Sequence, residues 1–172
     1  MAVVGLLAGC GGGTSDGKAV EPVPAASAAP SSADPDAGER AAVLEAYGAL
    51  TAAEERSYAA AKVEPELARW ATDRALADIQ ATVFWHQQGK TTMQGSVRRD
   101  AKVTVLETSS APLRATVTDC ADSTGQREVE TGTGREVPYS GLRRHVVTST
   151  AIRPAGGSWQ FVTYVIERDR TC

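Results

Sequence analysis

Leu113-Arg114-Ala115-Thr116-Val117-Thr118-Asp119-Cys120 reads with a period of two. Leu113, Ala115 and Val117 fall on one face and Arg114, Thr116 and Thr118 on the other, the mark of a half-buried strand. Asp119 continues the apolar face. The same period recurs on either side. Val103 and Val105 alternate with Lys102 and Thr104, and Val146, Thr148, Thr150 and Ile152 alternate with His145, Val147, Ser149 and Ala151. Residues 158–167, SWQFVTYVIE, are apolar or aromatic on both faces, with Trp159, Phe161 and Val165 on one and Val162, Tyr164 and Ile166 on the other. Turn residues separate these runs, and Pro154-Ala155-Gly156-Gly157 predicts a hairpin between the last two. Residues 126–142 are polar and hold three glycines, which reads as a short ribbon or a long loop.

Upstream of Gly89 the period is helical. Residues 35–61 are rich in Ala and Glu with no internal proline, and Val43, Leu44, Tyr47 and Leu50 share a face. Pro65 opens a short helix ending near Trp70, and Thr72 caps a third whose stripe is Leu76, Ile79, Val83 and Phe84. Helices followed by strands, rather than alternating with them, predict an α+β fold with an antiparallel sheet.

The chain has 172 residues and a formal net charge of -3, so it offers no basic surface for nucleic acid. Its N-terminus is an address. Residues 1–9, MAVVGLLAG, form an apolar run as short as a signal's core can be, and Leu7-Ala8-Gly9-Cys10 resembles the bacterial lipobox, in which a lipid is joined to the cysteine thiol. No Lys or Arg precedes the run, which points to a start codon further upstream. Residues 11–38 hold four of the eight prolines and no aromatic side chain, the composition of a disordered tether. Its r.m.s. span is on the order of 30 Å. The expected organisation is therefore a signal over 1–9, lipidated Cys10 and tether over 10–38, and one domain over 39–172. The tether carries the whole net charge, leaving the domain with 17 positive and 17 negative groups. The localisation this implies is extracytoplasmic, on the outer face of the cell membrane, with the lipid as anchor.

Setting Cys10 aside leaves Cys120 and Cys172, an even remainder that reads as one disulfide in an exported chain. A zinc site is the rival, but neither cysteine has a ligand neighbour at zinc spacing. A Cys/His nucleophile pair is the other, and a chain terminus holds a nucleophile poorly.

Three helices before an antiparallel sheet is the element order of the NTF2-like (cystatin-like, SnoaL-like) cone. Pro65-Glu66-Leu67-Ala68-Arg69-Trp70-Ala71-Thr72 and Arg114-Ala115-Thr116-Val117-Thr118-Asp119-Cys120 resemble segments of secreted actinobacterial NTF2-like lipoproteins, as do Gly157-Ser158-Trp159-Gln160-Phe161 and the closing Cys172. Fourteen Arg against four Lys suits a GC-rich genome. The resemblance implies a curved sheet wrapped on the long helix, an apolar pocket between them, and often a dimer through the outer sheet face. It implies no particular activity.

Enzymes of that superfamily place Asp, Tyr or His in the pocket, and the matching residues here are Tyr47, Trp85, His86, Asp119, His145 and Tyr164. A carboxylate buried at Asp119 would have a raised pKa and could move a proton. The plainer readings are preferred: Asp119 as a solvated or turn-bonding group before a disulfide, His86 at a helix C-terminus, His145 on a solvent face, Tyr47 and Trp85 as core. No HExxH, Gly-x-Ser-x-Gly or phosphate loop is present, and Thr131-Gly132-Thr133-Gly134-Arg135 lacks the Lys-Ser/Thr of one. No cofactor or metal is expected. The expected function is a non-catalytic binding domain for a small apolar ligand or an envelope protein, with a homodimer or partner contact at the apolar sheet face. The alternative is an isomerase- or cyclase-type enzyme using Asp119 with a His or Tyr.

Overall fold

The computed structural model describes residues 34–172. The signal-like segment, Cys10 and the tether through residue 33 lie outside the described residues. Three helices come first: α1 (Ala37–Ala60), α2 (Leu67–Trp70) and α3 (Asp73–Gly89). Six strands follow: β1 (Thr91–Gly95), β2 (Arg98–Glu107), β3 (Leu113–Asp122), β4 (Gln126–Glu130), β5 (Arg144–Arg153) and β6 (Gln160–Glu167). An antiparallel sheet runs in the order β2-β3-β5-β6, and β1 and β4 form a separate ribbon. The fold is α+β, as the order of periodicities predicts.

α1 buries Val43, Ala46, Tyr47, Leu50, Ala53, Glu54 and Ser57, spaced by three and four. Leu44, expected on this stripe, stands off it and is 37% exposed. The helix begins at Ala37, two residues inside the expected helical stretch 35–61 and two residues before the expected domain boundary at Glu39. Asp36 sits at the N-cap without a side-chain cap bond, while Asp34 accepts the Asp36 amide and pairs with Arg40 at 3.1 Å. Thr72 takes the N-cap position of α3, as expected, yet its hydroxyl makes no cap bond. Its amide donates instead to the Phe161 carbonyl at 2.9 Å, tying the start of α3 to β6. The buried stripe of α3 is Ala75, Ile79, Val83 and His86. Phe84, predicted inside, is 60% exposed, and Trp85, expected as core, is 72% exposed. The stripe advances by four, four and three, which turns it away from the Leu76–Phe84 line.

The helix-facing side of the sheet pairs short side chains across β3 and β5. Ala115 lies opposite Ala151, Val117 opposite Ser149, and Asp119 opposite Val147, and all six are buried against the helices. Two β-bulges break the simple alternation. In β2 the register slips between Val103 and Val105, so Leu106 rather than Val105 lies opposite Ala115, and Val105 is 47% exposed. In β6 the slip falls at Val162, between the Ala151↔Phe161 and Thr150↔Thr163 pairs. Phe161 and Tyr164 are therefore both buried, although strict alternation assigned them to opposite faces. The outer face carries Thr116, Thr118, Thr148, Thr150 and Thr163, with Val165 exposed. The bulge thus replaces the expected second apolar face by a threonine-lined one.

Tyr47 packs edge-on against Phe161 with centroids 5.4 Å apart, at the centre of a core that also holds Leu50, Leu67 and Ile79. Residues 126–130 take the ribbon option, pairing with β1. Cys120 and Cys172 form a disulfide with Cα atoms 5.8 Å apart and a separation of 52 residues. Phe161→Ala should cost about 3–5 kcal/mol in urea unfolding, and a loss under about 1 kcal/mol would contradict this core. Cys172→Ser should cost roughly 2–4 kcal/mol by closing a long loop less firmly in the unfolded chain.

Candidate functional site

Arg99 enters from β2 on the inward face and meets two carboxylates. Its guanidinium lies 3.0 Å from Asp119 Oδ2 on β3 and 3.2 Å from Glu54 Oε2 on α1. The Tyr47 hydroxyl donates to Asp119 Oδ2 at 3.0 Å, and the Asp100 amide donates to Asp119 Oδ1 at 2.8 Å. The Tyr164 hydroxyl donates to Glu54 Oε2 at 3.0 Å. Glu54 and Asp119 are 4% and 1% exposed, so two acids and one cation share a nearly dry site. Such a cluster is stable only because each charge finds partners there.

Burial raises the Glu54 pKa above the usual carboxylate range, and Arg99 and Tyr164 oppose this only in part. Burial likewise pushes the Tyr47, Tyr58 and Tyr164 phenols up, so all three stay protonated at neutral pH. For Arg99, burial works against the charged form, but Glu54 and the hydrogen bond to Asp119 outweigh it and hold the guanidinium charged. Asp119 accepts three donors and has its oxygens occupied. That arrangement makes it a fixed counter-ion for Arg99 rather than a proton shuttle.

A cavity of about 300 Å³ opens beside this cluster. Glu54, Tyr58, Arg99 and Tyr164 form its polar floor; Met93, Val97, Val147 and Ile166 supply apolar wall. The far wall holds His86 of α3. Its Nδ1 lies 2.9 Å from Thr91 Oγ1, and the Thr91 hydroxyl in turn donates to Glu128 Oε1 at 2.5 Å. His145, at the start of β5, also lines the cavity, with Nε2 2.9 Å from the Leu142 carbonyl.

The structure brings together most of the residues singled out from sequence. Tyr47 and Asp119 touch directly, and Tyr164 joins them through Glu54 and Arg99. The reading of Asp119 as solvated is corrected: its position on the Ala115–Val117 face carries it under α1. His86 is buried rather than a surface cation at the helix end, and His145 is a cavity residue rather than part of a solvent face. Trp85 points outward and takes no part. Sequence reasoning missed Arg99 and Glu54. Both carried a signal: Arg99 alternates with inward Ala101 and Val103, and Glu54 lies four residues after Leu50 on its stripe. Among the described residues no group of His, Cys, Asp or Glu could hold a metal ion, and no helix is long and apolar enough to cross a membrane.

Fold and site define an α+β domain whose helices lie on an antiparallel sheet, with a polar-floored cavity at one end. The chain is similar to a solved structure, the intermembrane space region of chloroplast protein ARC6, with a TM-score of 0.50 and 10% identity over 74% of this chain and 95% of that one. At that identity the likeness concerns the fold alone. No protein-family model and no curated protein matches the sequence.

Arg99→Met should destabilise the domain by about 3–5 kcal/mol, since it leaves buried carboxylates without a cation; a loss under 1 kcal/mol would contradict the cluster. Glu54 gives a pH signature. Because its pKa is raised above the ordinary value of 4.5, the folded chain retains a proton that the unfolded chain has released, so stability falls as pH rises from 4.5. Glu54→Gln should flatten that slope in denaturant titrations. An unchanged slope would show that Glu54 does not titrate in this way.

Proposed function

We propose that this chain is an exported, lipid-anchored protein whose non-catalytic, NTF2-like domain binds a small ligand in the cavity between α1, α3 and the concave sheet. The observation that carries the reading is that cavity, about 300 Å³ with apolar walls over a buried polar floor. Its size is at the lower end of small-molecule sites, and convergent polar groups on an apolar wall are what such sites use for orientation. Export is supported by Leu7-Ala8-Gly9-Cys10 and by the Cys120–Cys172 disulfide, a bond at home in oxidising compartments. The NTF2-like reading is supported by three helices laid on a bulged antiparallel sheet.

Two rivals are weaker. An envelope protein or a second copy docked on the outer sheet face would meet mainly threonines. An isomerase- or cyclase-type enzyme using Asp119 is favoured by the Tyr47 contact at 3.0 Å, but Arg99 and the Asp100 amide hold that carboxylate, which is buried and is not part of the cavity lining.

Native mass spectrometry of the protein purified from its own host tests address and cavity together. The expected species begins at Cys10, carries a diacylglycerol mass and releases a small molecule on unfolding. A mature chain that keeps residues before Cys10, or an unlipidated one, would overturn the export reading. A lipidated chain with an empty cavity that takes up no small molecule would overturn the binding reading.

A further inference from the structure

α3 carries an apolar patch on the side turned away from the core. Its inner side, with Ala75, Ile79, Val83 and His86, packs on α1, β1 and β6. On the outer side Phe84 and Trp85 are 60% and 72% exposed, the two most exposed large apolar side chains among the described residues. Ala81 lies three residues before Phe84 and four before Trp85, so it sits one turn below both and joins them into one surface. Exposed Ala77 extends that surface by another turn. Single exposed apolar residues are ordinary, whereas a contiguous pair of large aromatic rings marks a contact.

The rim of the patch is basic where the helix ends. Lys90 follows α3, Lys62 follows the last turn of α1, and both are exposed. The Gln87 side-chain amide donates to the Ala61 carbonyl at 2.9 Å, which brings the two helix ends and their lysines to one corner. Of the lysines among the described residues, Lys102 is ion-paired, while Lys62 and Lys90 are in no ion pair. The acids of this corner are occupied. Asp78, on the outer side of α3, pairs with Arg74 at 3.3 Å. Glu130 pairs with Arg135 and precedes Thr131, whose amide donates to the Lys90 carbonyl at 2.9 Å.

Aromatic rings with cations at their edge match the depth profile of an anionic bilayer, where rings settle at the interface and cations meet the headgroups. The chain outside the described residues argues for the same occupant. Between Cys10 and Asp34 lie 23 residues. At full extension they span at most roughly 80 Å. α1 has 24 residues. It therefore carries the chain about 36 Å from its entry to the Ala61 corner. A lipid on Cys10 can thus reach a membrane on which α3 lies.

We infer that the Phe84–Trp85 patch is a membrane-docking surface, its rings entering the interface of an anionic bilayer and Lys62 and Lys90 meeting the headgroups. This rests on the lipid-anchor reading above for the nearness of a bilayer, and adds a second contact to that anchor.

The test couples the Cys10 thiol of the full chain to maleimide lipid in vesicles of two parts phosphatidylcholine and one part phosphatidylglycerol, both with brominated acyl chains. Cys120 and Cys172 are bonded to each other and do not compete. Bromine quenches an indole that reaches the acyl boundary, and Trp159, 3% exposed, serves as the internal reference. Tryptophan emission should be quenched on coupling, and Trp85→Phe should abolish the quenching. Phe84→Ser should remove most of it. Lys62→Gln with Lys90→Gln, or vesicles of phosphatidylcholine alone, should lower the docked-to-free ratio about tenfold or more. All four positions are exposed, so these variants keep the fold. Absence of quenching, or quenching that persists in Trp85→Phe, overturns the inference. Quenching indifferent to both the lysines and phosphatidylglycerol overturns it as well. A dimer in sedimentation that Trp85→Ser dissolves would give the patch to a second copy, and would also overturn it. Because the coupling is chemical, none of these results touches the anchor reading. A host protein found unlipidated would fell that reading and leave the vesicle result unchanged.

Discussion

One guanidinium holds helix and sheet together at the polar end of this domain. Arg99 reaches from β2 to Asp119 on the neighbouring strand and to Glu54 on the helix laid across the sheet. Two acids in a dry interior repel each other and resist losing water, so they persist there only around a cation with directional donors. Arg suits the place better than Lys because separate terminal nitrogens address the two carboxylates at once. Tyr47 and Tyr164 complete the arrangement by donating their protons to the same acids. Remove the cation and the contact between α1 and the sheet is left with uncompensated charge.

The other end of α1 is built differently. There Glu39 meets Arg153 at 2.7 Å and the Trp159 indole at 3.3 Å, half-buried contacts that fasten the entry of the helix to the β5–β6 hairpin. Between the two ends Ala115, Ala151 and Ser149 keep the sheet surface low, which lets Tyr47, Leu50 and Phe161 fill the gap. The bulges in β2 and β6 add the bend that a flat sheet lacks. α1 packs its buried stripe, from Val43 to Ser57, against this face. It leaves room where Glu54 and Tyr58 meet α3 and the ribbon, and that room is the cavity.

Much of this was legible in the sequence. The change from helical to two-residue period at Gly89 gives the fold class, and alternation in β3 places Asp119 with Ala115 and Val117. The hairpin and the Cys120–Cys172 pair follow from turn residues and cysteine parity, whereas the ribbon is one of two options the sequence leaves open for residues 126–142. What alternation could not give was where it breaks. Nothing in Phe161-Val162-Thr163-Tyr164 marks Val162 as the extra residue, so Tyr164 was assigned to the wrong face and an apolar outer surface was expected in its place. Charge concealed the site for a similar reason. Arg99 and Glu54 sit at inward positions of their elements, but a charged side chain there reads as solvated until its partners, 20 and 45 residues away, are known. His86 is one helical step from Val83, yet its value as a group depends on Thr91 and Glu128 in the ribbon.

The central claim is that Arg99 and Asp119 act as a unit beneath α1. A double-mutant cycle with Arg99→Met and Asp119→Asn, each variant unfolded in urea at neutral pH, measures this directly. The account predicts a coupling of about 2–3 kcal/mol, with the double variant more stable than the sum of the single losses implies. A coupling near zero would mean that the two groups stand side by side without depending on each other, and the polar end of the domain would need another explanation.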